Sequence, residues 1–228
     1  MRGFFITFEG IEGSGKTTQA RALAEELERR GIPVKLTREP GGSPVGDRIR
    51  TLLLADSSLE MSPLAEFLLF AASRAEHSEK LIRPCLEEGY VVVSDRFADS
   101  SLAYQGFGKG VPESFIREVN ETAAWGVHPD LTFLLDISPE DSAKRVMMRM
   151  KAEGIARDRL ELEKADFYRR ASEGYRSVAG DESSRFRIMD GTLPAEEIRR
   201  RVLDAVLREL KKAGLDRSEK GYIGGPGY

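Results

Sequence analysis

Cysteine is almost absent from this 228-residue chain: Cys85 stands alone, which excludes an intramolecular disulfide framework and a multi-cysteine metal site. Histidine is as scarce, and His77 and His128 are too few to make a zinc site. Long apolar runs are missing as well. None approaches the roughly 18 residues of a membrane span, and the run after Met1-Arg2-Gly3 stops at Phe8, too short for a signal-peptide core. Nor does one sign of charge prevail: 35 Lys and Arg against 38 Asp and Glu leave a net charge of -3, so any phosphate-binding site must be local. These absences predict a soluble, cytoplasmic protein with no nucleic-acid and no membrane partner.

What the chain does contain is an alternation of short apolar runs and helical patterns. Phe4 to Phe8 reads as a buried strand ending in Glu9-Gly10, and Ala20, Leu23, Ala24 and Leu27 repeat at helical spacing from Gly15 to Arg30. Val34 to Thr37 reads as a second strand, followed by a Pro- and Gly-rich loop through Pro44. A long helix is expected from about Pro63 to Glu88, strands at Tyr90 to Ser94, Leu131 to Leu135 and Phe186 to Met189, and a last helix from Pro194 to about Leu210. Apolar strands alternating with helices predict an α/β fold, a parallel sheet with helices on both faces and ligands at the carboxyl ends of its strands. One domain over residues 1–213 is expected, with 214–228, rich in Gly and without apolar periodicity, as a disordered tail.

Gly10-Ile11-Glu12-Gly13-Ser14-Gly15-Lys16-Thr17 fits G-x-x-x-x-G-K-[ST] and lies between a strand and a helix, as that phosphate loop must. Its glycines let successive N–H groups point inward and the helix start adds partial positive charge, whereas a bare Gly-rich helix cap would need none of this. Lys16 is expected at the β- and γ-phosphates and the Thr17 hydroxyl on Mg²⁺. Glu9 and Glu12 would repel a triphosphate unless cations intervene; Glu9 is expected at the metal or the acceptor, and Glu12 fits a solvated side chain equally well. Asp95 and Asp136 both end apolar runs and compete as the strand-end acid for Mg²⁺. Asp95 is favoured because Arg96 beside it adds a phosphate-binding group.

A phosphate loop leaves open a switch, a motor or a kinase. No N-K-x-D segment for guanine and no L-S-G-G-Q signature is found. The chain does carry Thr37-Arg38-Glu39-Pro40-Gly41-Gly42, then Leu69-Phe70-Ala71-Ala72-Ser73-Arg74, then Asp95-Arg96-Phe97-Ala98-Asp99-Ser100-Ser101-Leu102-Ala103-Tyr104-Gln105-Gly106. In order and spacing these resemble the thymidylate kinase family over roughly residues 4–193. The resemblance implies a P-loop NTPase fold with a five-stranded parallel sheet, transfer of the γ-phosphoryl of ATP to dTMP, Mg²⁺ as cofactor and a homodimer. It implies an ATP site at Gly10, Ile11, Glu12, Gly13, Ser14, Gly15, Lys16, Thr17 and Thr18. On the dTMP side, Arg96 would grip the acceptor phosphate and Phe70 would stack on thymine beside Arg74. Arg38 and Glu39 would border the acceptor with Glu9, Tyr104 would lie below the sugar, and Ser101 and Gln105 would meet the base.

Each residue also has a plainer reading. Phe70 and Tyr104 suit a core, Arg74 could pair with Glu76 or Glu79 on the surface, and Arg96 could find its anion in Asp95, Asp99 or a substrate phosphate. From 144 to 160 a lid is expected, because Lys144 to Arg159 holds six basic residues against Glu153 and Asp158, with Gly154 as a break. The phosphate loop contains no arginine, so Arg149 and Arg159 are expected to supply the missing charge, in the manner of the family's lid-arginine type. A solvated basic helix face is the alternative for either. The rival functions are another nucleoside-monophosphate kinase on this fold and a nucleotide-binding switch.

Overall fold

The computed structural model describes residues 2–54, 60–154 and 165–215. Five strands, β1 (Phe4–Glu9), β2 (Val34–Arg38), β3 (Val91–Asp95), β4 (Leu131–Asp136) and β5 (Phe186–Asp190), form one parallel sheet in the order β2-β3-β1-β4-β5. β1 is buried along its whole length, as a central strand covered on both faces must be. Its neighbours diverge to either side, which makes the crevice beyond its carboxyl end the expected ligand position.

Side-chain alternation sorts the sheet into two faces. Phe4, Ile6 and Phe8, with Val91, Val93, Leu131, Phe133 and Leu135, pack against α1 (Lys16–Arg29) and α9 (Ala195–Lys212). Phe5, Val92 and Leu134 face the other way, toward α3 (Pro63–His77), α4 (Arg83–Glu87), α6 (Glu113–Ala123) and α8 (Ala165–Asp181). By the same period Asp95 falls on the α1 face, whereas Glu9 and Asp136 fall on the α8 face. That parity decides what each carboxylate meets.

The expected helix from Pro63 to Glu88 is one nearly continuous rod: α3, a π-helical turn at Ser78–Ile82, then α4. Ser62 caps it by accepting from the Ala65 N–H at 3.3 Å, and Pro63 costs nothing in the first turn, where no N–H partner exists. The same rule accounts for α2 (Pro44–Leu54), which begins at the proline that closes the expected loop. Three further helical stretches go beyond the sequence reading: α5 (Ala98–Ser101) running into a π-helical Leu102–Gly108, then α6, then α8. α7 (Pro139–Glu153) ends at Gly154, whose left-handed φ of 65° supplies the expected break. Leu215 packs into the core beside α9, two residues past the expected domain end at 213. The rest of the expected tail, 216–228, and the lid beyond Gly154 lie outside the described residues. Among the described residues no helix is long and apolar enough to cross a membrane.

One ion pair ties the site-bearing edge to the sheet. Arg185, just before β5, bonds both oxygens of Asp99 at 2.7 and 2.8 Å and reaches Thr132 Oγ1 at 2.6 Å. Asp99 is nearly sealed, so removing the guanidinium would leave a buried, uncompensated charge. Arg185→Met is expected to lower unfolding free energy by about 3–5 kcal/mol, read from urea denaturation of variant and parent.

Candidate active site

The phosphate loop curls over the carboxyl end of β1 with Gly10, Gly13 and Gly15 at φ of 135°, 71° and 98°. Glycine is required at Gly10 for space as well, since a Cβ there would lie 2.5 Å from the Leu135 carbonyl oxygen. Lys16 folds back and donates to the Ile11 carbonyl at 2.8 Å and to Ser14 Oγ at 3.4 Å. Burial, with Arg96 nearby, pushes its ammonium pKa down to about 8. Thr17 Oγ1 lies 2.5 Å from Asp95 Oδ2, because α1 packs on the face to which Asp95 points. Asp136, on the opposite face, is held by Arg176 of α8 through two bonds of 3.0 Å. The strand-end acid beside the loop is therefore Asp95.

Arg96 follows β3 with a left-handed φ of 72°, which turns its side chain back under the loop. Nη1 donates to the Gly10 carbonyl at 3.0 Å, to Ser100 Oγ at 3.2 Å and to the Tyr175 hydroxyl at 2.9 Å. Nη2 donates to Glu12 at 2.5 Å and to the Tyr104 hydroxyl at 3.2 Å, with the guanidinium 5.0 Å from the Tyr104 ring centroid. Its anion is Glu12, where the sequence left Asp95, Asp99 or a substrate phosphate open. Glu12 is thus no solvated side chain: burial raises its pKa, but Arg96 and Lys16 outweigh that and bring it down to about 2.

Glu9 does not reach the cavity. Its carboxyl accepts from the Phe97 N–H at 2.7 Å, from Ser100 Oγ at 2.6 Å and from the Tyr175 hydroxyl at 3.1 Å. Burial, reinforced by Asp99, raises its pKa to about 7. It stands behind Arg96 and Ser100 and is not among the residues that line the cavity.

One cavity of about 710 Å³ joins the remaining residues. Its walls include Glu12, Gly13, Gly15, Lys16, Thr17, Thr18 and Asp95 on one side, and Arg38, Glu39, Phe70, Arg96, Ser101, Tyr104 and Gln105 on the other, with Arg149 above. Phe70 belongs to none of the apolar clusters, whereas Tyr104 serves core and cavity together. Gly10, Ile11 and Ser14 of the loop are not among the wall residues and hold Arg96 and Lys16 through backbone and hydroxyl contacts. Arg38 is exposed, 3.5 Å from Asp47.

Arg74 is buried and pairs with neither Glu76 nor Glu79. It donates to Glu39 at 3.0 Å, Asn120 at 2.5 Å, Ser101 Oγ at 3.1 Å and the Phe97 carbonyl at 3.4 Å. Its place is one layer behind the cavity wall. Glu39 is held in turn by Arg74 and by His77 Nδ1 at 3.3 Å. On α7, Arg145 reaches the Gly13 carbonyl at 3.4 Å and Ser142 Oγ donates to the Glu12 carbonyl at 2.6 Å, so this helix grips the loop directly. Arg159 lies outside the described residues. Sequence reasoning passed over Tyr175 and Ser100 and took Arg145 only as one of the lid's six basic residues: Tyr175 sits on a helix whose spacing carries no site signature, and Ser100 lies in a quoted motif whose geometry only folding reveals.

The sequence pattern of the thymidylate kinase family matches residues 8–202. Proteins named thymidylate kinase from Pelotomaculum thermopropionicum and Halothermothrix orenii are 46% and 47% identical to the chain, over 93% and 90% of its length and 100% and 97% of theirs. A crystal structure of thymidylate kinase from Ehrlichia chaffeensis superposes with a TM-score of 0.71 at 33% identity, covering 90% of this chain and 99% of that one.

Glu9 gives the site a pH signature. Its carboxyl titrates near 4.5 when exposed and near 7 in the fold, so the native state holds a proton that the unfolded chain has released between those values. The resulting stabilisation is complete below about pH 4.5 and lost as pH rises to about 7, a span worth about 3 kcal/mol. Urea unfolding from pH 4 to 8 is expected to show that decline in the parent and to lack it in Glu9→Gln.

Proposed function

The chain belongs to the thymidylate kinase family, and from that premise we propose that it transfers the γ-phosphoryl of ATP to dTMP, giving dTDP and ADP. The observation that carries this reading is a shared cavity: the phosphate loop and the residues expected around the acceptor line one continuous space. Phosphoryl transfer needs donor and acceptor in line with little covalent help from the protein, so positioning and charge do most of the work.

In this reading the loop N–H groups and Lys16 hold the donor phosphates, and Arg145 and Arg149 bring positive charge from α7. Arg96 faces the acceptor phosphate through Nη2, the nitrogen it gives to Glu12, while Nη1 stays anchored to the Gly10 carbonyl. Phe70 stacks on the base and Tyr104 fills the space below the sugar. The Thr17 hydroxyl and Asp95 carboxylate offer adjacent hard oxygens, a set that suits Mg²⁺, which takes few protein ligands and keeps phosphate and water oxygens. Bound there, the ion would neutralise charge on the phosphate oxygens. The reading includes a cytoplasmic homodimer, supported by the exposed Leu64, Leu68 and Phe115 on α3 and α6 and by the single cysteine.

ADP release with ATP, Mg²⁺ and each nucleoside monophosphate in turn tests the reading. The expected order of kcat/KM is dTMP above dUMP, with dCMP and ribo-TMP far below. Equal rates with dCMP would leave a kinase without the thymidylate assignment, and ADP release independent of any acceptor would favour a switch. Lys16→Ala is expected to lower kcat by about 10³-fold while thermal stability stays within a few degrees, since it removes charge aimed at the migrating phosphoryl group.

A further inference from the structure

The wall beside Phe70 is backed by a carboxylate that the proposed transfer does not use. Glu66, on α3, is fully buried. One of its oxygens accepts from Gln105 Nε2 at 2.9 Å, the other from Lys109 Nζ at 3.0 Å. The ammonium of Lys109 is itself lodged 5.5 Å from the centroid of the Phe167 ring. A carboxylate paired with an ammonium can accept and cannot donate. Gln105 is therefore held in one of the two orientations open to an amide, with its nitrogen toward Glu66 and its oxygen turned away.

That oxygen has no hydrogen-bond partner among the described residues, yet it is not one of the atoms sealed from solvent. Gln105 lines the cavity together with Phe70, Ser101 and Tyr104, so a bare acceptor is what it offers there. Ser101 has the opposite character. Its Oγ accepts from Arg74 Nη2 at 3.1 Å, which leaves its own proton to give. The polar wall thus combines one acceptor and one donor, each fixed from behind by a buried ion pair, Glu66 with Lys109 and Arg74 with Glu39.

We propose that Glu66, paired with Lys109, is a positioning residue that sets base specificity: by locking the Gln105 amide it selects a pyrimidine with a protonated N3 and a 4-oxo group. Cytosine, with an unprotonated N3 and a 4-amino group, would set acceptor against acceptor and donor against donor. Groups left desolvated and unpaired in that way discriminate more strongly than a missing methyl does. The inference rests on the dTMP kinase reading and adds the residue that enforces its choice of base.

The test is the substrate panel applied to Glu66→Gln, a change that keeps the shape but lets position 66 present either an oxygen or an NH₂ to Gln105. The kcat/KM ratio of dTMP over dCMP is expected to fall by about tenfold or more, the lower part of the range for one mismatched buried polar group. The dTMP over dUMP ratio and the KM for ATP should hold, because neither the methyl contact nor the phosphate loop is touched. Lys109→Met is the second variant: without the ammonium that fixes its far oxygen, the Glu66 carboxyl is no longer held toward the Gln105 amide, so the same ratio should fall. A merely structural role would lower activity on dTMP, dUMP and dCMP together and leave the dTMP over dCMP ratio at its parental value. That result in whichever variants fold overturns the inference. A parent enzyme inactive on dTMP would instead overturn the function from which it starts.

Discussion

The pairing of Arg96 with Glu12 is the constraint around which the rest is arranged. A guanidinium at the buried end of β3 would be costly without an anion, and a carboxylate inside a phosphate loop would repel the ligand without a cation. Each cancels the other's cost at 2.5 Å. The pairing demands a left-handed backbone at Arg96, the curl of the loop above it, and the hydroxyls of Tyr104, Ser100 and Tyr175 to satisfy the remaining donors. Strands β1 and β3, the helical stretch after Arg96 and helix α8 therefore meet at one side chain. α7 joins them through Ser142 and Arg145, which hold the carbonyls of Glu12 and Gly13.

Five carboxylates crowd this edge, and their partners differentiate them. Glu12 has Arg96, Asp99 has Arg185, Asp136 has Arg176 and Asp95 has the Thr17 hydroxyl. Glu9 is bonded only by neutral donors, and burial beside Asp99 raises its pKa to about 7. Asp95 has the Thr17 hydroxyl beside it and lines the cavity at the loop. The same edge thus supplies a partner for a loop hydroxyl, three ion pairs and a buried support from two acidic residue types.

Much of this was legible beforehand because it is local. The phosphate loop is eight consecutive residues, and the strands announce themselves as apolar runs. The thymidylate kinase pattern could be read in the segments around Arg38, Phe70, Arg96 and Tyr104, and the homologues uphold the family. The helices α2, α6 and α8 were less visible: α2 starts in a Pro-Gly loop, and α6 and α8 carry polar faces broad enough to weaken the apolar period. Arg74 shows the limit most plainly. On a helix next to Glu76 it suggests a surface pair, yet the fold turns it inward to Glu39, which lies 35 residues away in the chain.

The sequence by itself determined the nucleotide-binding class, the parallel sheet and the family, because these rest on runs and spacings within a few residues of one another. Only the tertiary structure decided which carboxylate accompanies which cation. Asp95 and Asp136 end similar strands, and their fates separate because side-chain alternation points one toward α1 and the other toward α8. That parity acquires meaning only when the sheet order and the helices on each face are known. The orientation of the Gln105 amide is of the same kind, since the carboxylate and ammonium that hold it come from α3 and from the turn after Gly108. Hydrogen bonding between buried groups depends on direction at a scale of tenths of an ångström, and spacing along a chain carries no such information.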